Sequence, residues 1–548
     1  MARLRLRGAA RPPGPFLPAG GPAAPAVPAP HRAAVLACAA AVAPPDWHGP
    51  FAAGAWALDL DLFAPGDVRP VWERNRWAEL PLLAQAARLD PVAGHLARAE
   101  ALLADWTARN PAFRGPNWAR GQEAALRALH LGLALALLGA DHAPPSGARA
   151  LLALHGRRIA ATPAYALAQD NNHTVSEAAG LLACGLLLGD GRWTSQGAVR
   201  LEAALGRLVA PDGSFAQVST GYHRLLLDVL AVTEWLRRRL GGPSLVAIDR
   251  AAAATGWLHR LVEPATGALP RLGHQDGSAF ADLALAGPDD ARPSLERAAR
   301  LFCGASAGVA TEPGCAWLGL PAGPALPAPP AAWAGDGLRG WHVAGARGLL
   351  RTGPLRFRPG QADLLHMELW DGPLALLRDG GSGAYNPAPD AAWWHPHFSG
   401  TAAHNCIAFD GEDQMPRVGR FLFSRWPAMG ALPDGAWLLD WRGRRQARRI
   451  RAKDRTWVVE DRIAGPFRQA VLRWRLAPGS WHALPDGAAG PAATLRVSAD
   501  APFACTLEQG WESPAYGEVR PLPVLVVRVQ PPVTNLTTVI ALPTSTLD

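Results

Sequence analysis

The feature that most constrains this chain is a change in hydrophobic period past its middle. In 80–89, 93–106, 121–138, 147–160, 174–188, 196–208, 222–240, 245–261 and 293–303, apolar residues recur at three- and four-residue spacing. That is the period of an amphipathic helix. Pro, Gly, Asp and Asn punctuate the gaps, as turns between helices require. Beyond a Pro- and Ala-rich stretch at 321–330 the runs shorten: 349–358, 366–377, 406–409, 437–441, 456–459, 471–476, 494–497 and 524–529 are β-branched or aromatic and bounded by turn residues. Such runs form antiparallel strands. A chain of 548 residues is also too long for one core. The pattern therefore predicts a multidomain protein, α then β, in which paired antiparallel helices precede a large antiparallel sandwich. The expected divisions are a flexible Pro/Ala/Gly/Arg leader at 1–30, a helical domain at 31–320, a linker at 321–335 and the sandwich at 336–548. Residues 47–62 suggest a short hairpin or an irregular packing arm.

Charge narrows the function less than it first suggests. The formal charge is +8, but Lys453 is the only lysine and arginine is abundant, so compositional bias contributes. A basic surface suits a polyanionic partner. No dense basic cluster with interleaved aromatics is present, which places an acidic glycan ahead of nucleic acid. Six widely spaced cysteines with no CxxC pair exclude a zinc knuckle and a disulfide scaffold. The arginines at positions 3, 5 and 7 lead into Pro-rich sequence rather than the apolar stretch of a signal peptide. No run reaches the roughly 20 apolar residues of a membrane span. The expectation is a cytoplasmic chain without a membrane span.

Four stretches concentrate polar and aromatic residues in apolar surroundings. The first is Asn117-Trp118 with Glu123 and Arg127, which reads equally as a helix entrance with an i, i+4 ion pair or as a sugar-stacking site. The second is Asp170-Asn171-Asn172-His173, running into an apolar helix that carries Glu177. Asn171 or Asn172 can cap that helix, yet so many polar groups beside a core need partners or a function. In the third, Asp212-Gly213-Ser214 leads to Tyr222-His223-Arg224, in a chain with only four tyrosines. Tyr222 is either a packed core residue with a bonded hydroxyl or a proton-transfer group. The fourth comprises Gln361, Asp363, Asp379, His404 and Asn405. There Asp379 and His404 are metal ligands or a hydrogen-bonded structural pair, and zinc would want three or four protein groups. P-loop, Rossmann, HExxH and GxSxG signatures are absent.

Read together, these stretches resemble the heparinase II/III-like polysaccharide lyases. The series begins at Val71-Trp72-Glu73-Arg74-Asn75-Arg76 and continues through Asn117-Trp118, Asn171-Asn172-His173 and Tyr222-His223-Arg224. It ends with Gly273 to Asp276-Gly277 and Thr401 to Asn405 with Asp410-Gly411 and Asp413-Gln414. The resemblance implies an N-terminal incomplete (α/α) toroid and a C-terminal antiparallel β-sandwich, with an acidic polysaccharide bound in the cleft between them. It implies β-elimination at a uronate, as in glycosaminoglycan or alginate-like chains, by a carbon-oxygen lyase. Asn172 would neutralise the uronate carboxylate, and His173 and Tyr222 would transfer protons. Asn117, Trp118, Glu123, Arg127, Asn171, His223, Gln361 and Asn405 would contact substrate, and Asp379 and His404 would belong to a zinc or structural cluster. It also implies a bacterial periplasm or cell envelope as the alternative location. One departure stands out: where the family often carries His-x-His, this chain has Pro359-Gly360-Gln361. His366 follows at odd strand spacing from Gln361, which would put it on the opposite face. The rival readings are a noncatalytic glycan-binding protein and a glycoside hydrolase, the latter needing two facing carboxylates from among Glu123, Glu177 and Asp363.

Overall fold

A computed structural model describes residues 6, 10–64, 66–280, 282–309 and 312–543. It divides into two compact units. One comprises residues 1–215, 222–260 and 278–327; the other comprises 216–221, 261–277 and 328–548.

The first unit is helical. Its central element is the helix Asn172–Leu188, which packs against Gly121–Leu137, Ser146–Ala161 and Gly191–Leu208. Small residues allow that packing: a Cβ at Gly180 would lie 2.6 Å from the Ala125 Cα, and one at Gly197 2.4 Å from the Leu182 nitrogen. The Gly121–Leu137 helix is buried along every residue, so its apolar stripe has no solvent side. The run read as one helix at 245–261 is a 3-10 turn, Val246–Ile248, followed by the helix Asp249–His259. The Glu202 carboxylate accepts the Val246 and Ala247 amides and so caps the chain there.

One expectation for the N-terminal stretch changes. Phe16 and Leu17, within the supposed flexible leader, are buried, because the Glu100 carboxylate accepts both of their amides at 2.7–3.0 Å. A short helix, Ala29–Ala40, follows. Of the two readings for residues 47–62 the irregular packing arm holds, with Phe51 and Leu62 packed against Val68, Val71 and Ala119.

The second unit is built from antiparallel sheets. Five strands, Ala332–Gly335, Leu338–Val343, Ala346–Arg351, Met367–Asp371 and Leu374–Leu377, pair in chain order. The first lies inside the stretch read as linker, where Trp333 is buried. The run 349–358 stops being strand at Arg351, because Pro354 and Pro359 lack amide donors and Phe357 adopts a φ of 55°. The run 366–377 is two strands turned by Gly372 at a φ of 52°. An eight-stranded, a four-stranded and a two-stranded sheet complete the unit, and one core joins the three larger sheets through Leu350, Met367, Trp457, Leu472, Trp474 and Ile540. The strand Arg445–Lys453 does not read as apolar, because its inward positions include Gln446 and Arg448. Arg448 is neutralised by a two-pronged bond to Asp461 at 2.9 Å.

Candidate active site

In the helical unit the entrance to the Asn172–Leu188 helix is set by two devices. Asp170 turns the chain with a φ of 45°, and the Asn171 side chain caps the helix by accepting the His173 amide at 3.0 Å. Asn171 is thus a cap. Asn172 is buried, and its amide nitrogen donates to Gln122 Oε1 at 3.0 Å, which fixes the direction of the carboxamide. His173 keeps a fifth of its side chain exposed, and its Nδ1 lies 3.9 Å from Glu177 Oε1. Neither that nitrogen nor either Glu177 oxygen has a hydrogen-bond partner. Glu177 lies directly over Gly121, where a Cβ would approach its carboxylate to 2.3 Å. Only glycine at 121 leaves space for this acid. Tyr222 is in the first turn of the helix Thr220–Arg239, with 8% of its surface exposed.

The other sequence candidates of this unit are structural. Trp118 is 1% exposed, so it cannot stack on a sugar; its indole donates to the Asn110 carbonyl at 3.3 Å. Asn117 is fully buried, donating to the Trp47 carbonyl and to Asn110 Oδ1, each at 2.8 Å. Glu123 pairs not with Arg127 but with Arg76, through two bonds of 2.8 and 2.9 Å. Arg127 instead donates to His155 Nε2 at 3.0 Å and to the Asn117 carbonyl at 2.6 Å. It sits among Trp77, Trp106 and Trp118, and burial lowers its pKa to about 9. His223 stacks on Trp257 at 4.3 Å and donates Nε2–H to the Ala254 carbonyl at 2.9 Å. Burial lowers its pKa to about 4, so it is a neutral core residue near pH 7.

In the sheet unit Asn405 is likewise buried and satisfied. Its carboxamide donates to the Met367 carbonyl at 2.8 Å and accepts the Arg475 amide at 2.7 Å. Gln361 donates to the Gly381 and Phe398 carbonyls at 3.0 and 3.2 Å. Asp379 accepts His404 Nδ1–H at 2.8 Å and the Gly381 amide at 2.7 Å. Burial alone would lower the His404 pKa, but the Asp379 carboxylate beside it overrides this and holds it above the ordinary value. His366 belongs to this cluster, although strand spacing points it away. Residues 361–366 are not strand, so the alternation of faces does not apply, and His366 Nε2 reaches 3.5 Å from Asp379 Oδ2.

His366, Asp379 and His404 offer three potential ligand atoms within 4.8 Å of one another. The protons do not suit a metal. His366 Nδ1 accepts the Asn405 amide at 2.9 Å, so the proton of the neutral ring resides on Nε2, the nitrogen that faces Asp379. A metal-bound nitrogen needs its lone pair. With the Nδ1–H of His404 also directed at Asp379, the carboxylate faces two N–H groups where a zinc site would present two lone pairs. The residues present do not fit zinc; Asp379 and His404 form a hydrogen-bonded pair, and His366 Nε2 lies beside it without a hydrogen bond.

The architecture, helices followed by antiparallel sheets, is that of polysaccharide lyases of known structure. A crystal structure of heparinase III matches with a TM-score of 0.67 at 13% identity, covering 99% of this chain and 88% of the other. A mutant of heparan sulfate lyase HepC from Pedobacter heparinus matches at 0.59 and 15%, covering 94% and 83%. Chondroitin AC lyase from Streptomyces coelicolor A3, in complex with chondroitin sulphate, matches at 0.52 and 12%, covering 94% and 79%. At these identities the likeness shows the fold: an (α/α) toroid followed by a β-sandwich. Residues 339–541 match the family described as Heparinase II/III-like, C-terminal. No curated protein matches the sequence. Among the described residues no helix is long and apolar enough to cross a membrane.

Proposed function

We propose that this protein is a lyase that cleaves a uronate-containing glycan by β-elimination. The observation that carries the reading is the entrance to the Asn172–Leu188 helix. A carboxamide oriented by Gln122 stands next to a partly exposed imidazole whose Nδ1 and nearest acid, Glu177, have no hydrogen bonds. Buried polar atoms without partners are costly, and they are retained where a substrate completes them. Asn172 would neutralise the uronate carboxylate so that the C5 proton becomes acidic, while His173 and Tyr222 transfer protons to and from the sugar. The match of residues 339–541 to the Heparinase II/III-like, C-terminal family and the likeness in fold to heparinase III support the same chemistry.

The hydrolase reading loses two of its three acids: Glu123 is committed to Arg76, and Asp363 lies 3.4 Å from Arg351. The noncatalytic reading rests on Pro359 and Gln361 in place of histidines. One experiment separates all three. Incubation with unsulfated and sulfated uronate polysaccharides should generate ultraviolet absorbance from an unsaturated uronate. New reducing ends without that absorbance would indicate hydrolysis, and retention of glycan without either product would indicate a binding protein.

A further inference from the structure

Beside the Asn172–His173 entrance stands a cation without an acid. Gly121 lies under the Glu177 carboxylate and Gln122 is bonded to Asn172, so the residue that precedes them, Arg120, belongs to the same entrance. The backbone leading to it is held by buried Arg158, which donates to the Trp118 and Ala119 carbonyls at 2.6 and 2.7 Å and to the Thr162 hydroxyl at 2.9 Å. That one guanidinium ties the approach to Arg120 to the start of the short helix Pro163–Gln169. The Thr174 hydroxyl, donating to the Ala166 carbonyl at 2.8 Å, ties the same helix to the entrance from the other side. Between these ties the Arg120 guanidinium lies over the Tyr165 ring, 4.6 Å from its centroid. Of the four tyrosines Tyr165 is the one that is exposed, with 37% of its surface open.

The charge of Arg120 is not answered by the protein. Among the described residues its half-buried side chain has neither a hydrogen bond nor an ion pair. Neither Glu177 oxygen accepts a hydrogen bond from it or from any other group, and that acid already faces Arg158 and Arg200. Asp170, the other carboxylate of the entrance, is gripped by Arg207 through two bonds of 2.6 and 3.0 Å. Arg120, Arg158, Arg200 and Arg207 thus stand against Glu177 and Asp170 alone, and the entrance is cationic with every one of these groups counted. Stacking on an aromatic face uses the charge of a guanidinium and leaves its in-plane N–H donors free. Free donors on a supported, half-buried cation suit a two-pronged grip on an oxygen anion.

We propose that Arg120 holds a second anionic group of the glycan, beyond the uronate carboxylate at Asn172, and that Tyr165 is the positioning residue that keeps its guanidinium in place. The assignment rests on the reading of this entrance as the site that engages a uronate-containing glycan. The second group is a carboxylate or a sulfate ester, both of which match the guanidinium fork.

The test uses the full-length protein and phenylglyoxal, with mass spectrometry of each modified arginine and with exposed Arg192 and Arg445 as internal references. The probes are heparosan and alginate, whose anionic groups are carboxylates, and heparan sulfate, which carries carboxylates and sulfate esters. A saturating polymer should slow modification of Arg120 several-fold and leave both references unchanged. Protection by heparosan or alginate identifies the carboxylate as the group held; protection by heparan sulfate alone identifies the sulfate ester. Binding measured by calorimetry with undiminished modification of Arg120 would overturn the proposal and spare the glycan reading. Absence of binding by all three polymers would overturn both.

A second arm separates contact from packing. Arg120→Gln should weaken calorimetric binding of the protecting polymer roughly tenfold and raise KM in step, with kcat within about twofold of the parent. Tyr165→Leu, which removes the aromatic face, should weaken binding about threefold, whereas Tyr165→Phe, which keeps that face, should bind as the parent does. Parental affinity in Arg120→Gln, or a fall in kcat as large as the rise in KM at an unchanged melting temperature, would overturn the assignment.

Discussion

Two helix entrances in the helical unit look alike in sequence and differ completely in structure. Asn117-Trp118 precedes a helix bearing Glu123 and Arg127; Asn171-Asn172-His173 enters one bearing Glu177. In the first, the charged groups find protein partners: Glu123 binds Arg76, and Arg127 binds His155 and the Asn117 carbonyl. In the second, His173 Nδ1 and both Glu177 oxygens have none. A polar group that the fold itself has satisfied stabilises or orients the fold, whereas one left incomplete near the surface is available to a ligand. Asn117 Oδ1 and Arg127 Nη1 at the first entrance also lack partners, so what separates the two is the acid: Glu123 is bonded to Arg76, whereas Glu177 has no hydrogen bond.

The comparison breaks most visibly in stability. Glu123→Ala takes the two-pronged partner from buried Arg76, leaving it Glu73 at 2.7 Å, and should cost up to about 3–5 kcal/mol, read by urea denaturation. Glu177→Gln removes a charge that has no hydrogen bond and should leave stability within about 1 kcal/mol of the parent while reducing turnover. Equal destabilisation by both would erase the distinction.

Acid should reveal the satisfied histidines next. The His223 pKa is lowered by burial to about 4 in the folded protein from the ordinary imidazole value of 6.5, so between those values the unfolded chain binds more protons. Stability is therefore retained above about pH 6.5 and lost as pH falls towards 4, by up to roughly 3 kcal/mol from this residue alone. His223→Gln should flatten that part of the stability profile; an unchanged slope would show that His223 is not the neutral core group described here.

In the first turn of the Thr220–Arg239 helix the effect should fall on turnover. Tyr222→Phe retains the packed ring and removes the hydroxyl, so turnover should drop roughly 100-fold with an unchanged melting temperature. Undiminished turnover removes Tyr222 from the chemistry. The smallest expected effect concerns the sheet unit, where His366 carries its proton on the nitrogen facing Asp379. Protein purified without added metal should contain well under one zinc per chain, and EDTA should not shift its melting temperature. Stoichiometric zinc would show that the Asn405 amide does not hold the His366 ring as described.

Much of the architecture is legible in the sequence, because period is a local property. Three- and four-residue spacing needs no tertiary knowledge to indicate a helix, and the switch to short β-branched runs indicates strands. The signal fails where inward positions are polar, as in Arg445–Lys453, and where a stretch without apolar periodicity is anchored by a distant acid, as Glu100 anchors Phe16 and Leu17. The Asn171 cap is legible too, since the capping bond spans two residues. The long-range pairings are not. Sequence proximity pairs Glu123 with Arg127, but folding gives it to Arg76, 47 residues earlier; strand alternation turns His366 away, but the turn before Met367 brings it to Asp379.

What the sequence by itself determined is therefore the order of element types, the caps and the residue chemistry available, all consequences of local backbone and periodic burial. Only the tertiary structure decided which of those residues are satisfied. It buried Trp118 and His223, left Glu177 without a hydrogen-bond partner over Gly121, and laid Arg120 over Tyr165. The physical reason is that partners for buried polar groups are chosen by proximity in space, where the desolvation cost of being unpaired selects whichever complementary group the packing brings within reach.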